Sequence, residues 1–234
     1  MDFRQKMSDP DPNSIIEGYK RNKNPSARFR IPIRDSTGLP LGTLVCVDAS
    51  VAEDAKILED LTSWRSRYMR YFLTQFEASI DRTAAWLKLL VLPDRKRLLF
   101  MIHTESDEAI GNFALCNINA QSAELDNLIR GRKGGHAQLI FFAEIAMLSW
   151  MFNVLKMRSA NLHVFSNNMK TISLHTSVGF STTRQYGLSK IEEDGETRYI
   201  VDGTEGEPVA FQYNLMSLER ASFYGIFPWA CAPA

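Results

Sequence analysis

Residues 123 to 131 read "AELDNLIRG", an apolar stretch runs from about 136 to 154, and "SANLHVF" follows at 159 to 165. The outer segments have the composition of strands. The middle one is rich in Leu, Ile, Phe and Met nearly all round, which predicts a helix buried against a sheet. Strand, long helix and strand form a βαβ crossover, so this part of the sheet is expected to be parallel. Glu144 and Ser149 interrupt the apolar helix, and it is too short to span a bilayer, so no membrane association is expected.

The flanking segments complete a mixed α/β plan. "RFRIPIRDSTGLPLGTLVCVDAS" reads as an extended run, a Gly-Leu-Pro turn and a strand at about 42 to 47. Ser50 and Glu53 make an S-x-x-E capping box ahead of Ile57, Leu61, Trp64 and Tyr68, which recur at helical spacing. A second helix over about 80 to 91 stops before Pro93. "RLLFMIHT" and "AIGNFALCNI" form an antiparallel hairpin, to which "AELDNLIRG" adds a third strand. Strands at 180 to 188 and 209 to 215 close the plan, with a charged hairpin or flap between them.

One core is expected, over residues 29 to 218, and 45% hydrophobic residues suffice to build it. Residues 1 to 28, polar and proline-containing, are expected as a mobile arm or loose cover. Residues 219 to 234 include "SFYGIFPWACAPA", an apolar tail that docks on the domain or on a second subunit, making a homodimer one expectation.

Acidic and basic residues number 27 each, so no bulk field draws the chain to nucleic acid, and an anionic ligand must be held by local geometry. The three cysteines have no metal-ligand or disulfide-framework spacing and read as reduced thiols; no metal is expected. "MDFRQKMSDPDPN" has no apolar signal core, which makes a cytoplasmic location the default.

Between strand and long helix lies "RGRKGGHA". Glycines allow a tight turn, and free N–H groups at the helix start suit a pyrophosphate, with Arg130, Arg132 and Lys133 adding charge. An ordinary glycine turn with solvated basic residues is the competing reading. Neither a P-loop nor a G-x-G-x-x-G motif is present.

The order of elements, with two motifs, resembles the GCN5-related N-acetyltransferase (GNAT) family. Arg132, Gly135 and Ala137 match that family's R-x-x-G-x-A loop. Asn168, Thr171, Ile172, Leu174, His175, Gly179 and Phe180 match its N-x-x-(A/S/T)-I-x-L-(Y/H)-x-x-x-G-F pattern. The resemblance covers roughly residues 30 to 216 and implies an α/β (α+β) GNAT fold. Its mixed sheet would have about seven strands, with an antiparallel meander, the βαβ crossover and flanking helices. "LTSWRSRYMRYFLTQFEASIDRTAAWL" looks like the acceptor-side segment of enzymes that acetylate nucleotide-linked amino sugars in surface-polysaccharide pathways, and of ribosomal-protein N-terminal acetyltransferases.

The resemblance implies acetyl-CoA as cosubstrate and direct attack of a neutral amine on its thioester. Leu128 and Ile129 would offer backbone groups to the pantetheine and thioester oxygen. Arg130, Arg132, Lys133, Gly134, Gly135, His136 and Ala137 would hold the pyrophosphate, with Asn168 near the coenzyme. Glu124 and Asp126, two apart and so on one strand face, are the candidate bases, with a surface ion pair as their competing role. His175 stands where many relatives carry the tyrosine that protonates the leaving thiolate; packing is its competing role. Trp64, Arg65, Phe76 and Glu77 are the acceptor-side candidates. His163 and His103 have no motif partner and read as packing residues.

The activity expected is therefore acetylation of a nucleotide-linked amino sugar, a small-molecule acceptor. The alternatives are a protein N-terminal acetyltransferase and a catalytically silent acyl-CoA-binding protein.

Overall fold

A computed structural model describes residues 11–22, 24–51 and 54–231. The chain opens with helix α1 (Pro12–Lys20), followed by β1 (Arg30–Arg34) and β2 (Pro40–Cys46). Asp35 closes the intervening turn, its carboxylate accepting from the N–H groups of Thr37 and Leu39. Helix α2 (Ala55–Tyr68) begins at Asp54, whose Oδ1 accepts from the Ile57 N–H at 3.2 Å. The cap is therefore Asp54 rather than Ser50, and Glu53 of the expected box lies outside the described residues. Next come β3 (Thr74–Gln75), α3 (Ile80–Trp86) and a π-turn over Leu87–Val91.

The meander is β4 (Leu98–Thr104), β5 (Ala109–Cys116) and β6 (Ser122–Arg130). Helix α4 (Leu139–Asn153) crosses over to β7 (Ser159–Phe165), which pairs parallel to β6. Then follow α5 (Met169–Val178), β8 (Ser181–Tyr186), β9 (Leu188–Glu193), β10 (Glu196–Val201), β11 (Glu207–Pro208), β12 (Tyr213–Glu219) and α6 (Arg220–Ile226). Eight strands form the main sheet in the order β1-β2-β4-β5-β6-β7-β12-β8. The charged excursion is a second sheet, β11-β9-β10-β3, tied back to the segment between α2 and α3. The main sheet thus has one strand more than the seven expected. β12 starts later than expected because Phe211 turns aside to pack on Phe165 and Tyr199.

Helix α4 is apolar all round because it is covered on two sides. One side meets the sheet through residues such as Leu125, Ala160 and Leu162, and the other meets the C-terminal segment. There Phe223 is fully buried, Ser149 Oγ donates to the Ala230 carbonyl at 2.8 Å, and Tyr224 donates to Asn153 Oδ1 at 2.7 Å. The described part of the tail thus docks on its own domain through Phe223 and Ala230, while Ile226 and Trp229 stay exposed.

Of the segment expected as a mobile arm or loose cover, residues 1–10 lie outside the described residues, and the rest carries α1, which docks. Asp11 caps it, Pro12 stands at its first turn, and Ile15, Ile16, Tyr19 and Lys20 share one face. Ile16 is fully buried and Tyr19 stacks on Phe29 at 3.8 Å. Lys20 donates its ammonium protons to the carbonyls of Val91 and Asp94, and burial pulls its pKa down to about 8. Polar composition hid this face because a two-turn helix needs only a few apolar side chains.

Candidate active site

The site is built where two strands part. β6 and β7 pair only from Ser122↔Ser159 to Leu125↔Leu162, although both continue further. A bulge against β5 falls in the same region: the register shifts between Asn112 and Ala114, and Asn127 takes φ +50°. The Asn112 amide steadies this bend by donating to the Asn127 carbonyl at 2.6 Å. Beyond Leu125, β6 therefore has an edge without a partner strand, which includes Leu128 and Ile129. Its backbone groups are placed to pair with an extended ligand.

That edge runs into the loop 131–138. The Gly131 and Arg132 N–H groups both donate to the Ile110 carbonyl. Among the described residues, the N–H groups of Lys133, Gly134, Gly135, His136 and Ala137 have no acceptor. Gly135 has φ +64°, and a Cβ there would lie 2.8 Å from Thr104 Cγ2, so only glycine fits without strain. A row of free amides at the start of α4 is the arrangement that receives an anion.

The basic residues of the loop divide their work. Arg130 faces the loop's own carbonyls, donating to those of Arg132, Gly134 and Ala137 at 3.4, 2.8 and 3.3 Å. It shapes the cradle rather than presenting its charge. Arg132 turns to helix α2, pairing with Asp60, and its guanidinium lies 5.8 Å from the Trp64 ring. Lys133 and His136 are exposed, and His136 Nδ1 accepts from the Gln138 N–H at 3.2 Å, just ahead of α4.

Helix α2 clamps the same junction. Trp64 is buried against Gly131, Arg67 donates to the Gly131 carbonyl at 2.6 Å, and Tyr68 donates to the Arg130 carbonyl at 3.0 Å. Asp60, Trp64, Arg67 and Tyr68 follow helical spacing, the one signal by which Asp60 and Arg67 were findable in the sequence. Trp64 thus supports the loop.

Glu124 and Asp126 project from the face opposite Ala123 and Leu125, away from α4. His163 comes from the matching face of β7, and its Nδ1 lies 2.6 Å from Glu124 Oε1. Glu124 Oε2 accepts from Asn117 Nδ2 at 2.8 Å. Burial would raise the Glu124 carboxyl, but the bonds from His163 and Asn117 hold it below its ordinary value. The Asp126 carboxyl is pushed up by desolvation, against the pull of Arg97, which donates to it at 3.1 Å. Tyr213 stacks on His163 at 4.9 Å, and burial next to the two carboxylates drives its phenol up.

Arg65, on α2, lies close enough to Asp126 to feel its charge. Its guanidinium lies 3.3 Å from the Phe72 ring centre and 5.6 Å from that of Phe76, and it donates to the Thr74 carbonyl at 3.1 Å. Burial pulls Arg65 down to about 10, opposed by the charge of Asp126. Its Nε is buried without a partner among the described residues. Phe76 sits between Arg65 and Arg82, while the Glu77 side chain is exposed.

His175 is not gathered with these groups. It lies on the α4 side of the sheet, buried, with Nδ1 2.7 Å from Glu144 Oε1 and its ring edge-on to Phe180. Asn168 caps α5, accepting from the Thr171 N–H at 3.4 Å, and Gly179 ends the helix at φ +108°.

Residues 51–193 match the family described as an acetyltransferase (GNAT) domain. By sequence, no curated protein matches the chain. Among solved structures the chain resembles the spermidine N-acetyltransferase from Vibrio cholerae, in complex with CoA and spermine. The TM-score is 0.58 at 17% identity over 78% of this chain and 98% of that one. It also resembles the Campylobacter jejuni N-acetyltransferase PseH in complex with acetyl coenzyme A, with a TM-score of 0.50 at 17% identity over 77% and 99% of the two chains. These likenesses are of fold.

Proposed function

The chain belongs to the GNAT acetyltransferase family, and on that premise we propose that it acetylates the amino group of a nucleotide-linked amino sugar. It is an N-acetyltransferase with acetyl-CoA as donor; the acceptor is the part proposed. The donor supplies an acyl group activated as a thioester.

The residues present fit that donor. The free amides from Lys133 to Ala137 suit its pyrophosphate, and the glycine at 135 keeps the cradle open. The unpaired edge at Leu128 and Ile129 suits the amide groups of its pantetheine arm. Arg130 keeps the loop carbonyls turned inward, so that N–H groups are left for the ligand. Asn168 fixes the start of α5 beside the end of β7, with its own N–H donating to the Phe165 carbonyl.

The observation that carries the acceptor assignment is Arg65. A half-buried guanidinium stacked on Phe72, with Nε unpartnered among the described residues, is prepared for an oxygen of the acceptor. With Arg97 it places positive charge beside the carboxylates Glu124 and Asp126. An amino sugar linked to a nucleotide carries both signs, an ammonium for the carboxylates and a diphosphate for the arginines. A polyamine would bring only cations to a groove that already holds two. In surface-polysaccharide biosynthesis such a nucleotide-linked sugar is the natural acceptor form.

The test is release of free thiol from acetyl-CoA with three acceptor sets: nucleotide-linked amino sugars, polyamines and N-terminal peptides. Turnover with the first set, inhibited by the free nucleoside diphosphate, is expected. Turnover confined to either of the other sets overturns the acceptor assignment.

A further inference from the structure

We propose that His163 is the base that takes the proton from the acceptor's ammonium group, and that Glu124 is the residue that positions it. The inference rests on amine acetylation in this groove, not on the identity of the sugar.

The position is the first argument. Leu125↔Leu162 is the last paired step between β6 and β7, so His163 is the first residue of β7 beyond the point where the strands separate. Asp126 is its counterpart on β6. The imidazole stands at the vertex of the opening whose far end holds the amide-lined loop, on the sheet face opposite the one covered by α4.

The hydrogen bonds supply the second argument. Glu124 Oε1 lies 2.6 Å from His163 Nδ1, and Oε2 accepts from Asn117 Nδ2. With its carboxyl held below the ordinary value, Glu124 is ionised and can only accept, so at this distance the proton of neutral His163 sits on Nδ1. Nε2 is then the bare, basic nitrogen, and it has no hydrogen bond among the described residues. The Tyr213 ring, stacked on the imidazole, fixes the plane in which that lone pair points. A carboxylate holding one imidazole nitrogen while the other faces the reactant is the arrangement of a general base, and an imidazole suits neutral pH better than a carboxylate does.

The proton balance follows. The ammonium loses one proton to Nε2, giving imidazolium stabilised by Glu124. The neutral amine forms the C–N bond as the C–S bond breaks with its electron pair on sulfur. The second nitrogen proton neutralises the thiolate, and His163 returns its proton to solvent. The charged and titratable groups around the imidazole are Glu124 and Asp126 from β6, Tyr213 from β12, Tyr186 from β8 and Cys116 from β5. Arg97 and Arg65 reach it through Asp126.

Two measurements decide it. Nitrogen NMR of the ligand-free protein, which has four histidines, reads the tautomer directly. The expected result is neutral His163 protonated on Nδ1, with its titration midpoint falling in Glu124→Gln. A neutral ring protonated on Nε2 overturns the proposal whatever the acceptor is. In the second, His163→Ala is expected to lower kcat on the order of 100-fold and to be partly restored by added imidazole. Glu124→Gln is expected to move the acidic limb of the pH profile to lower pH while keeping most turnover at high pH. A folded His163→Ala enzyme within threefold of the parent also overturns it.

Discussion

A Cβ on Gly131 would lie 2.1 Å from Cδ2 of Trp64: the indole fills the space that glycine leaves at the end of β6. This contact, with the Arg67 and Tyr68 hydrogen bonds beside it, joins α2 to the start of the coenzyme loop. Gly131→Ala is therefore expected to destabilise the protein by about 1–3 kcal/mol through overpacking. Thermal unfolding measures it, and Trp64→Leu in the same chain should recover part of the loss. An additive double variant would show that the two residues do not meet.

The cradle depends more on Arg130 than on the exposed Lys133. Arg130→Ala removes the guanidinium that gathers three loop carbonyls and should weaken CoA binding roughly tenfold, the scale of one or two charge-assisted hydrogen bonds. Lys133→Ala should change it less. Calorimetric titration with CoA compares the two, and a larger effect at Lys133 would mean that side-chain charge, not loop shape, holds the anion.

The Glu124 carboxyl is held below its ordinary value in the folded protein, so its contribution to stability is present above the unfolded value near 4.5. It is lost as pH falls through the folded value. Glu124→Gln should accordingly be less stable than the parent at neutral pH, with the two melting curves converging in acid. Melting temperature measured across that range checks the sign; a gap that widens in acid contradicts it.

His175 and Glu144 form a buried pair in which Glu144 Oε2 has no hydrogen-bond partner among the described residues. His175→Phe leaves that carboxylate uncompensated and should cost about 3–5 kcal/mol, whereas pairing it with Glu144→Leu should remove most of the cost. The motif position implies a proton-donor role for His175, and turnover measured against CoA affinity, at a temperature where His175→Phe stays folded, tests it. Unchanged turnover removes it from the mechanism.

Phe223 closes the outer side of α4 and is fully buried. Phe223→Ala should cost about 3–5 kcal/mol in denaturant unfolding, the usual range for truncating a core phenylalanine. A loss below 1 kcal/mol would mean that the tail is not part of the core.

Local patterns in the sequence carry the crossover, the meander, the glycine loop and the capped helix that ends at Gly179, because each depends on residues close together in the chain. Periodicity assigns α4 its burial on every side, and alternation assigns Glu124 and Asp126 a common face. Three other features depend on contacts between distant segments. Arg130 and Arg132 read alike as loop cations, yet one faces inward to carbonyls and the other outward to Asp60, a helix away. His163, a lone histidine in a strand, gains its role only where β7 passes Glu124 and Asn117. His175 occupies the expected motif position, but the packing of α5 on α4 turns it to Glu144. Sequence by itself determined the elements of the crossover, the meander and the motif helix, but not α1, whose docking face is short. The tertiary structure decided which charged groups meet, because a buried side chain takes the partner that packing brings within hydrogen-bond reach, however far away in the chain that partner lies.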